Sequence, residues 1–285
     1  MLADPDKLLH YIFPQVTQTY TAQDCMLYAL GVGMGSDPTH LQQLRFVYED
    51  NLLVMPSQSV MLAHPGFWAK EPALGLDWVQ LLQVGQEIIM HKPLPPTATV
   101  TATTRFTEVS DKGARLGAYI VTERTVRDVI TGDDYCTIIT AILARGDGGF
   151  GGERKSLVKT DLIPSRAADF VCDLATLPQQ ALLYRLSGDF NPLHASPEIA
   201  QAAGFRVPIL HGLCTLGVLT HALLKTCCDY DPARFKHMRL HFSAPVYPGE
   251  TIRTEIWRED NQLAFRCKSV EQDKLVINNG YLLLE

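Results

Sequence analysis

The sequence predicts an α+β fold built from two similar halves, each an antiparallel sheet wrapped around a helix. Three observations carry this expectation: strand-like runs closing each half, a glycine-rich segment between them, and one long stretch that is apolar on nearly all sides. At 285 residues the chain exceeds one typical domain of about 100 to 200 residues, which leaves room for two cores.

Runs rich in β-branched and aromatic residues between turn residues read as strands. In the first half they cover about Thr97 to Val109, Ala114 to Arg127 and Tyr135 to Ala144. In the second half they cover about Thr251 to Arg258, Gln262 to Ser269 and Leu275 to Leu284. A proline-marked turn introduces each set: Lys92-Pro93-Leu94-Pro95-Pro96 in one, Ala244-Pro245-Val246-Tyr247-Pro248-Gly249 in the other. The segment from Gly146 to Ser156 concentrates glycine where neither helix nor strand tolerates it. The expected organisation is therefore a first unit over 1–145, a linker over 146–156 and a second unit over 157–285. Leu27-Tyr28-Ala29-Leu30-Gly31-Val32 and Leu183-Tyr184-Arg185-Leu186-Ser187-Gly188 look like the same short helix ending, as a duplication would leave. From Gly212 to Cys228 the chain is apolar almost all round, as suits a helix buried inside a sheet. That is the outline of a hotdog unit, and two in tandem make a double hotdog.

Composition narrows the function. A hydrophobic fraction of 46% with 20% charged residues is that of an ordinary globular protein. The net charge of −6, with both signs mixed along the chain, offers no basic face to nucleic acid. Seven cysteines without CxxC spacing suit reduced thiols better than a disulfide framework. No basic segment followed by an apolar run opens the chain, no run approaches a membrane span, and Leu283-Leu284-Glu285 is not a peroxisomal tripeptide, so the expectation is a cytoplasmic protein without membrane contact.

The chemistry is concentrated in Tyr184-Arg185-Leu186-Ser187-Gly188-Asp189-Phe190-Asn191-Pro192-Leu193-His194. Pro192 biases Asn191 away from the α region, which places Asp189 and His194 on a turn. Such a turn can bring a carboxylate and an imidazole to one water, as addition across a polarised double bond requires. Taken alone, Gly-Asp-x-Asn-Pro is more often just a capped turn. The continuation Gly204-Phe205-Arg206-Val207-Pro208-Ile209-Leu210-His211-Gly212, running straight into the apolar helix, changes the balance. It puts the Gly212 N–H at a helix N-terminus, where negative charge is favoured.

These segments resemble the MaoC-like family, and within it the R-specific (type-2) enoyl-CoA hydratases, including the hydratase part of peroxisomal multifunctional enzymes. The resemblance extends over nearly the whole chain, through Gly148-Gly149-Phe150-Gly151-Gly152 and Phe242-Ser243-Ala244-Pro245-Val246-Tyr247-Pro248-Gly249. It implies hydration of trans-2-enoyl-CoA to (3R)-3-hydroxyacyl-CoA, with no cofactor, no metal and a homodimeric assembly. Asp189 and His194 would activate water and move protons, Asn191 would position them, and the Gly212 N–H would meet the thioester oxygen. Lys112, Phe242, Pro192 and His211 would bind substrate. Where the family often has Leu-His-Gly-Glu-Gln, this chain has Leu82-Gln83-Val84-Gly85-Gln86. Gly33 aligns with Asp189 and Pro38 with His194, so the first half is expected to be non-catalytic and to accommodate the acyl chain. The run Gly31 to Gly35 is expected to break its helix.

Gly31-Val32-Gly33-Met34-Gly35-Ser36 mimics a dinucleotide loop, but Ser36 occupies the third glycine position and the preceding residues read as helix, so a nicotinamide cofactor is rejected. His211, Cys214 and His221 lack a fourth zinc ligand at motif spacing. Two rival functions remain: thioester hydrolysis on a hotdog fold, and acyl-CoA binding without catalysis. The complete Asp189 to His194 segment weighs against both.

Overall fold

The computed structural model describes residues 3–152 and 163–285; residues 153–156 of the expected linker lie outside this range. Ten strands among the described residues are β1 (Val16–Tyr20), β2 (Leu81–Met90), β3 (Ala98–Asp111), β4 (Ala118–Asp128), β5 (Asp134–Ala144), β6 (Phe170–Ala175), β7 (Phe235–Phe242), β8 (Thr251–Glu259), β9 (Gln262–Ser269) and β10 (Lys274–Leu284). They form one antiparallel sheet in the order β1-β3-β4-β5-β2-β7-β10-β9-β8-β6. From the middle outwards, each set of five repeats the same order, so the chain is a double hotdog.

Six strands are those the sequence predicts. The largest shift is at β4, which starts at Ala118 rather than Ala114. Gly117 at φ 104° accounts for it, because the preceding residues close a turn in which Lys112 N–H donates to the Gly117 carbonyl at 2.9 Å. β1, β2, β6 and β7 were not anticipated. Two are edges and two form the seam, where Gly85 to Ile89 pair with His241 to His237. Gly85 suits the seam, since a Cβ there would stand 3.3 Å from both Ala141 Cβ and His241 Cδ2. Beside it, Glu87 Oε1 and His237 Nε2 meet at 2.6 Å across the two halves.

Among the described residues five short helices, α1 (Pro5–Leu9), α2 (Ala22–Gly31), α3 (Leu41–Leu44), α4 (Gln180–Tyr184) and α5 (Pro197–Ala202), accompany one long one, α6 (Gly212–Cys227). A Thr21–Asp24 capping box starts α2. It ends at Gly31, and Gly33 and Gly35 follow at φ 87° and 78°. The expected break is there. α6 is buried over most of its length and contacts β6 and β8. The hydroxyls of Thr215, Thr220 and Thr226 donate to carbonyls one turn back, so these three hydroxyls are satisfied inside the core.

The halves differ where α6 would have its counterpart. In the first half the segment buried against β2, β5 and α6 is only a 3₁₀ turn, Pro56–Met61, with three more 3₁₀ turns between it and β2. One apolar cluster nevertheless runs through both halves, joining Tyr28, Val32 and Val126 to Tyr184, Leu216 and Phe265. All seven cysteines are buried and unbridged.

Gly217 marks where α6 meets the end of α2: a Cβ would fall 2.3 Å from Val32 Cγ1 and 3.2 Å from Tyr28 Oη. Alanine would gain about 1 kcal/mol of helix propensity, whereas overpacking a closed core costs about 1 to 3 kcal/mol. Packing should win. Gly217→Ala is expected to lower Tm by a few degrees, and a raised Tm in thermal melts would contradict this account of the junction.

Candidate active site

The candidate site is built on the segment between α4 and α6. α4 continues into a 3₁₀ turn, Arg185–Ser187, that Gly188 ends at φ 124°. Tyr184 is fully buried, with its ring centroid 5.8 Å from that of Tyr28. The two helix endings that look alike in the sequence therefore pack on each other.

From Gly188 the chain turns sharply. Asn191 N–H donates to Asp189 Oδ1 at 3.1 Å, and Asn191 Oδ1 accepts from Leu193 N–H at 3.1 Å, capping the 3₁₀ turn Pro192–His194. Asn191 thus fixes the carboxylate through its backbone and the histidine turn through its side chain. Asp189 is half-buried and His194 is buried.

His194 Nδ1 lies 2.8 Å from the Ile209 carbonyl. A carbonyl only accepts, so Nδ1 carries the hydrogen and Nε2 keeps a lone pair. Burial lowers the His194 pKa, opposed by the Ile209 bond and the nearby Asp189. The ring is neutral and able to accept a proton at Nε2.

His211, the N-cap of α6, stacks on His194 with centroids 3.8 Å apart and planes 28° apart. Its Nε2–H donates to the Asp189 carbonyl at 3.2 Å. Burial, and then the neighbouring His194, push its pKa down to about 4. With only 1% of its surface exposed, His211 packs behind Asp189 and His194. Ligand-capable atoms of Asp189, His194 and His211 lie within 4.8 Å of one another, a grouping that also suits a metal ion. His211 Nε2 and His194 Nδ1 are already committed to carbonyls, which leaves one nitrogen of each ring for any other partner.

Gly212 is the first residue of α6, where an N–H has no acceptor within the helix. The Phe242 ring lies over it, 3.5 Å from where a Gly212 Cβ would stand. Phe242 therefore borders the site. Pro192 is exposed at the start of the histidine turn. Lys112 stands elsewhere, on the β3–β4 turn with Nζ 5.2 Å from the Tyr119 ring centroid. The sheet order separates β3 from β7 by three strands. In the Leu82–Gln86 segment, Gln83 Nε2 donates to Gln86 Oε1 at 2.8 Å, and Val84 packs on the apolar patch of Tyr119, Val121 and Ala141.

The sequence did not disclose the other side of the site. A cavity of about 210 Å³ opens beside Gly188 and is lined largely from the first half, by Tyr20, Leu27, Tyr28, Gln58 and Met61. Tyr184 Oη, 3.4 Å from Met61 Sδ, links it to the turn. Ala63, just past this wall, holds φ 45° with its N–H donating to Gln18 Oε1 at 2.6 Å. Nothing local in Pro56-Ser57-Gln58-Ser59 announces such a wall. Gly33, the first-half position aligned with Asp189, faces His221 on α6 and lies outside the lining of this cavity.

Fold and site together define a double-hotdog protein that carries one acid/base turn beside a cavity belonging largely to its other half. Residues 160–280 match the profile of the MaoC like domain, and residues 18–146 that of the MFE-2 hydratase 2 N-terminal domain. Over its whole length the chain is 36% identical to enoyl-CoA hydratase ChsH3 of Mycobacterium tuberculosis, covering 99% of that protein. It is also 36% identical to the peroxisomal enoyl-CoA hydratase 2 of Arabidopsis thaliana, over 97% of this chain and 94% of that one. The crystal structure of a MaoC-like dehydratase from Phytophthora capsici superimposes with a TM-score of 0.86 at 34% identity, covering 98% of each chain. The chain belongs to the MaoC-like family.

The buried histidines set a pH dependence of stability. His211 and His221 have pKa values lowered to about 4, and His194 is lowered too, in each case chiefly by burial. The unfolded chain binds these protons first, near the ordinary value of about 6.5. Their contribution is therefore present above that value and lost as pH falls towards the folded pKa, at about 1.4 kcal/mol per pH unit for each group. Denaturant midpoints are expected to fall between about pH 6.5 and pH 5, and His221→Gln should flatten the slope. A level profile over that window would refute the neutral-histidine assignment.

Proposed function

We propose that this protein hydrates trans-2-enoyl-CoA thioesters to (3R)-3-hydroxyacyl-CoA, reversibly, as a hydro-lyase. The observation that carries the reading is the neutral His194 with its free Nε2, held close to Asp189 and near the first N–H of α6. Hydration breaks one O–H bond of water, forms C–O at Cβ and C–H at Cα, and needs neither oxidant nor reductant. His194 Nε2 can accept the water proton, and Asp189 and His194 together handle the proton that reaches Cα. Charge driven onto the thioester oxygen would meet the Gly212 N–H, a donor type worth about a hundredfold to a thousandfold in rate. The names of the full-length relatives support the same reaction class.

The acyl tail would leave this centre past Gly188 into the cavity beneath Tyr20 and Tyr28, which gives the first half a role although it lacks catalytic groups. Phe242 and Pro192 border the entrance on the thioester side. Lys112, on its distant turn, would serve only the far end of CoA.

Incubation with crotonyl-CoA tests the reading directly: loss of enone absorbance without free thiol means hydration, free thiol means hydrolysis, and neither means binding alone. Asp189→Asn and His194→Gln should each lower kcat by about a hundredfold to ten-thousandfold, with the double variant little worse than either single one. Near-normal turnover in either single variant would remove the assignment. A coupling dehydrogenase specific for the 3S isomer should give no signal, and a strong one would overturn the stereochemistry.

A further inference from the structure

Ten buried side-chain atoms among the described residues find no hydrogen-bond partner in the protein, and their positions form a pattern. Arg185 Nε, Ser187 Oγ and His211 Nδ1 belong to the catalytic turn. Tyr28 Oη, Ser57 Oγ, Gln58 Oε1, Ser59 Oγ and Arg124 Nε belong to the first half, in or around the 3₁₀ turn Pro56–Met61. Folded proteins leave few such groups, and each one calls for a reason.

Arg124 is the most demanding. It is 5% exposed, stands on the face of β4 that carries core residue Val126, and its Nη2 donates to the Val60 carbonyl at 2.6 Å. No carboxylate among the described residues forms an ion pair with it. Burial draws its pKa down to about 10, so the guanidinium still carries its charge at neutral pH. An unpaired buried cation is among the costliest groups a core can hold. Val60, to which it bonds, sits between Gln58 and Met61 of the cavity wall. Ser57 and Ser59, in the same turn, lie near Tyr28 and Cys136, and Gln58 near Cys25, without a hydrogen bond of normal geometry. A plain hydrocarbon tail would displace water from these groups and give nothing back.

We propose that the first half selects acyl groups whose tail carries a carboxylate, received by Arg124 with Gln58, Ser57 and Ser59 around it. This rests on the hydratase reading and adds the substrate class. The Gln58 amide can turn to donate, the hydroxyls donate freely, and a guanidinium binds carboxylate through two parallel bonds. Gln58 and Tyr28 line the cavity that opens beside Gly188, and Arg124 is tied to Val60 of the same wall; a tail passing Gly188 from the thioester at Asp189 and His194 would approach Arg124 along that wall.

The test compares trans-2-enoyl-CoA substrates ending in a methyl with those ending in a carboxylate, matched in length over an increasing series. At the length that reaches Arg124, kcat/KM for the carboxylate-ended substrate is expected to exceed its methyl-ended partner by at least about tenfold. Arg124→Met should bring that ratio to parity or below, while Arg124→Lys should keep part of it. The ratio cancels any general loss of activity in the variants. If Arg124→Met fails to fold, Gln58→Leu reads the same ratio and should reduce it. Methyl-ended substrates preferred or equal at every length in the wild type would overturn the proposal and mean that water alone serves these groups; a ratio unmoved in Arg124→Met would overturn it as well. Crotonyl-CoA, which has no tail to place, separates this from the activity itself: if the wild type does not hydrate it, the hydratase reading fails first.

Discussion

The bond from His194 Nδ1 to the Ile209 carbonyl is the interaction on which the candidate site depends. It fixes the tautomer, turns Nε2 outward, and ties the histidine turn to the strand-like segment that leads into α6. His211 repeats the device one step away, anchoring the Asp189 carbonyl and stacking on His194. Two backbone carbonyls and one ring stack thus hold three polar side chains in register without a salt bridge. Burial then keeps both rings neutral, which a proton acceptor requires, at some cost in stability at acid pH. The same low-dielectric setting that weakens the fold in acid makes a single N–H at Gly212 effective towards a developing oxyanion.

Much of the fold could be read from the chain because the outer meanders obey local rules. β8 to β10 alternate apolar and polar residues between glycine, aspartate and asparagine turns, and α6 is apolar on every side because it is enclosed. The seam strands escaped notice for the opposite reason. β2 and β7 place Glu87 and His237 where each meets the other across the seam, while Gln86 and His241 bond to neighbouring strands of their own halves, so these sequences carry no clean alternation. A partner more than 140 residues away in sequence leaves no local mark.

The site divides along the same line. Asp189, Asn191, His194 and Gly212 were legible because turn chemistry and a helix start are local features. His211 was legible as a residue but not in its packing, since stacking and burial emerge only when the turn folds back on α6. Gln58, Ser59 and Arg124 gave no signal at all: serine, glutamine and arginine read as surface residues until topology folds them inward. Polar residues in a core cost stability unless something satisfies them, and of these three Gln58 lines the cavity while Arg124 is tied to Val60 in the same wall.

The asymmetry between the halves follows from what each can offer at one topological position. The long buried element of the second half is α6, whereas in the first half the short Pro56–Met61 turn stands against β2 and β5. The first residue is Gly212 in the helix and Pro56 in the turn. Glycine leaves an open N–H and room for a thioester; proline has no N–H to give. A 3₁₀ turn is also too short to fill the sheet that a sixteen-residue helix fills on the other side. The half without the long helix is the half with space, and the cavity it largely lines opens beside Gly188, one residue from Asp189. The two halves thus share a core and a seam while differing at the place of one long helix.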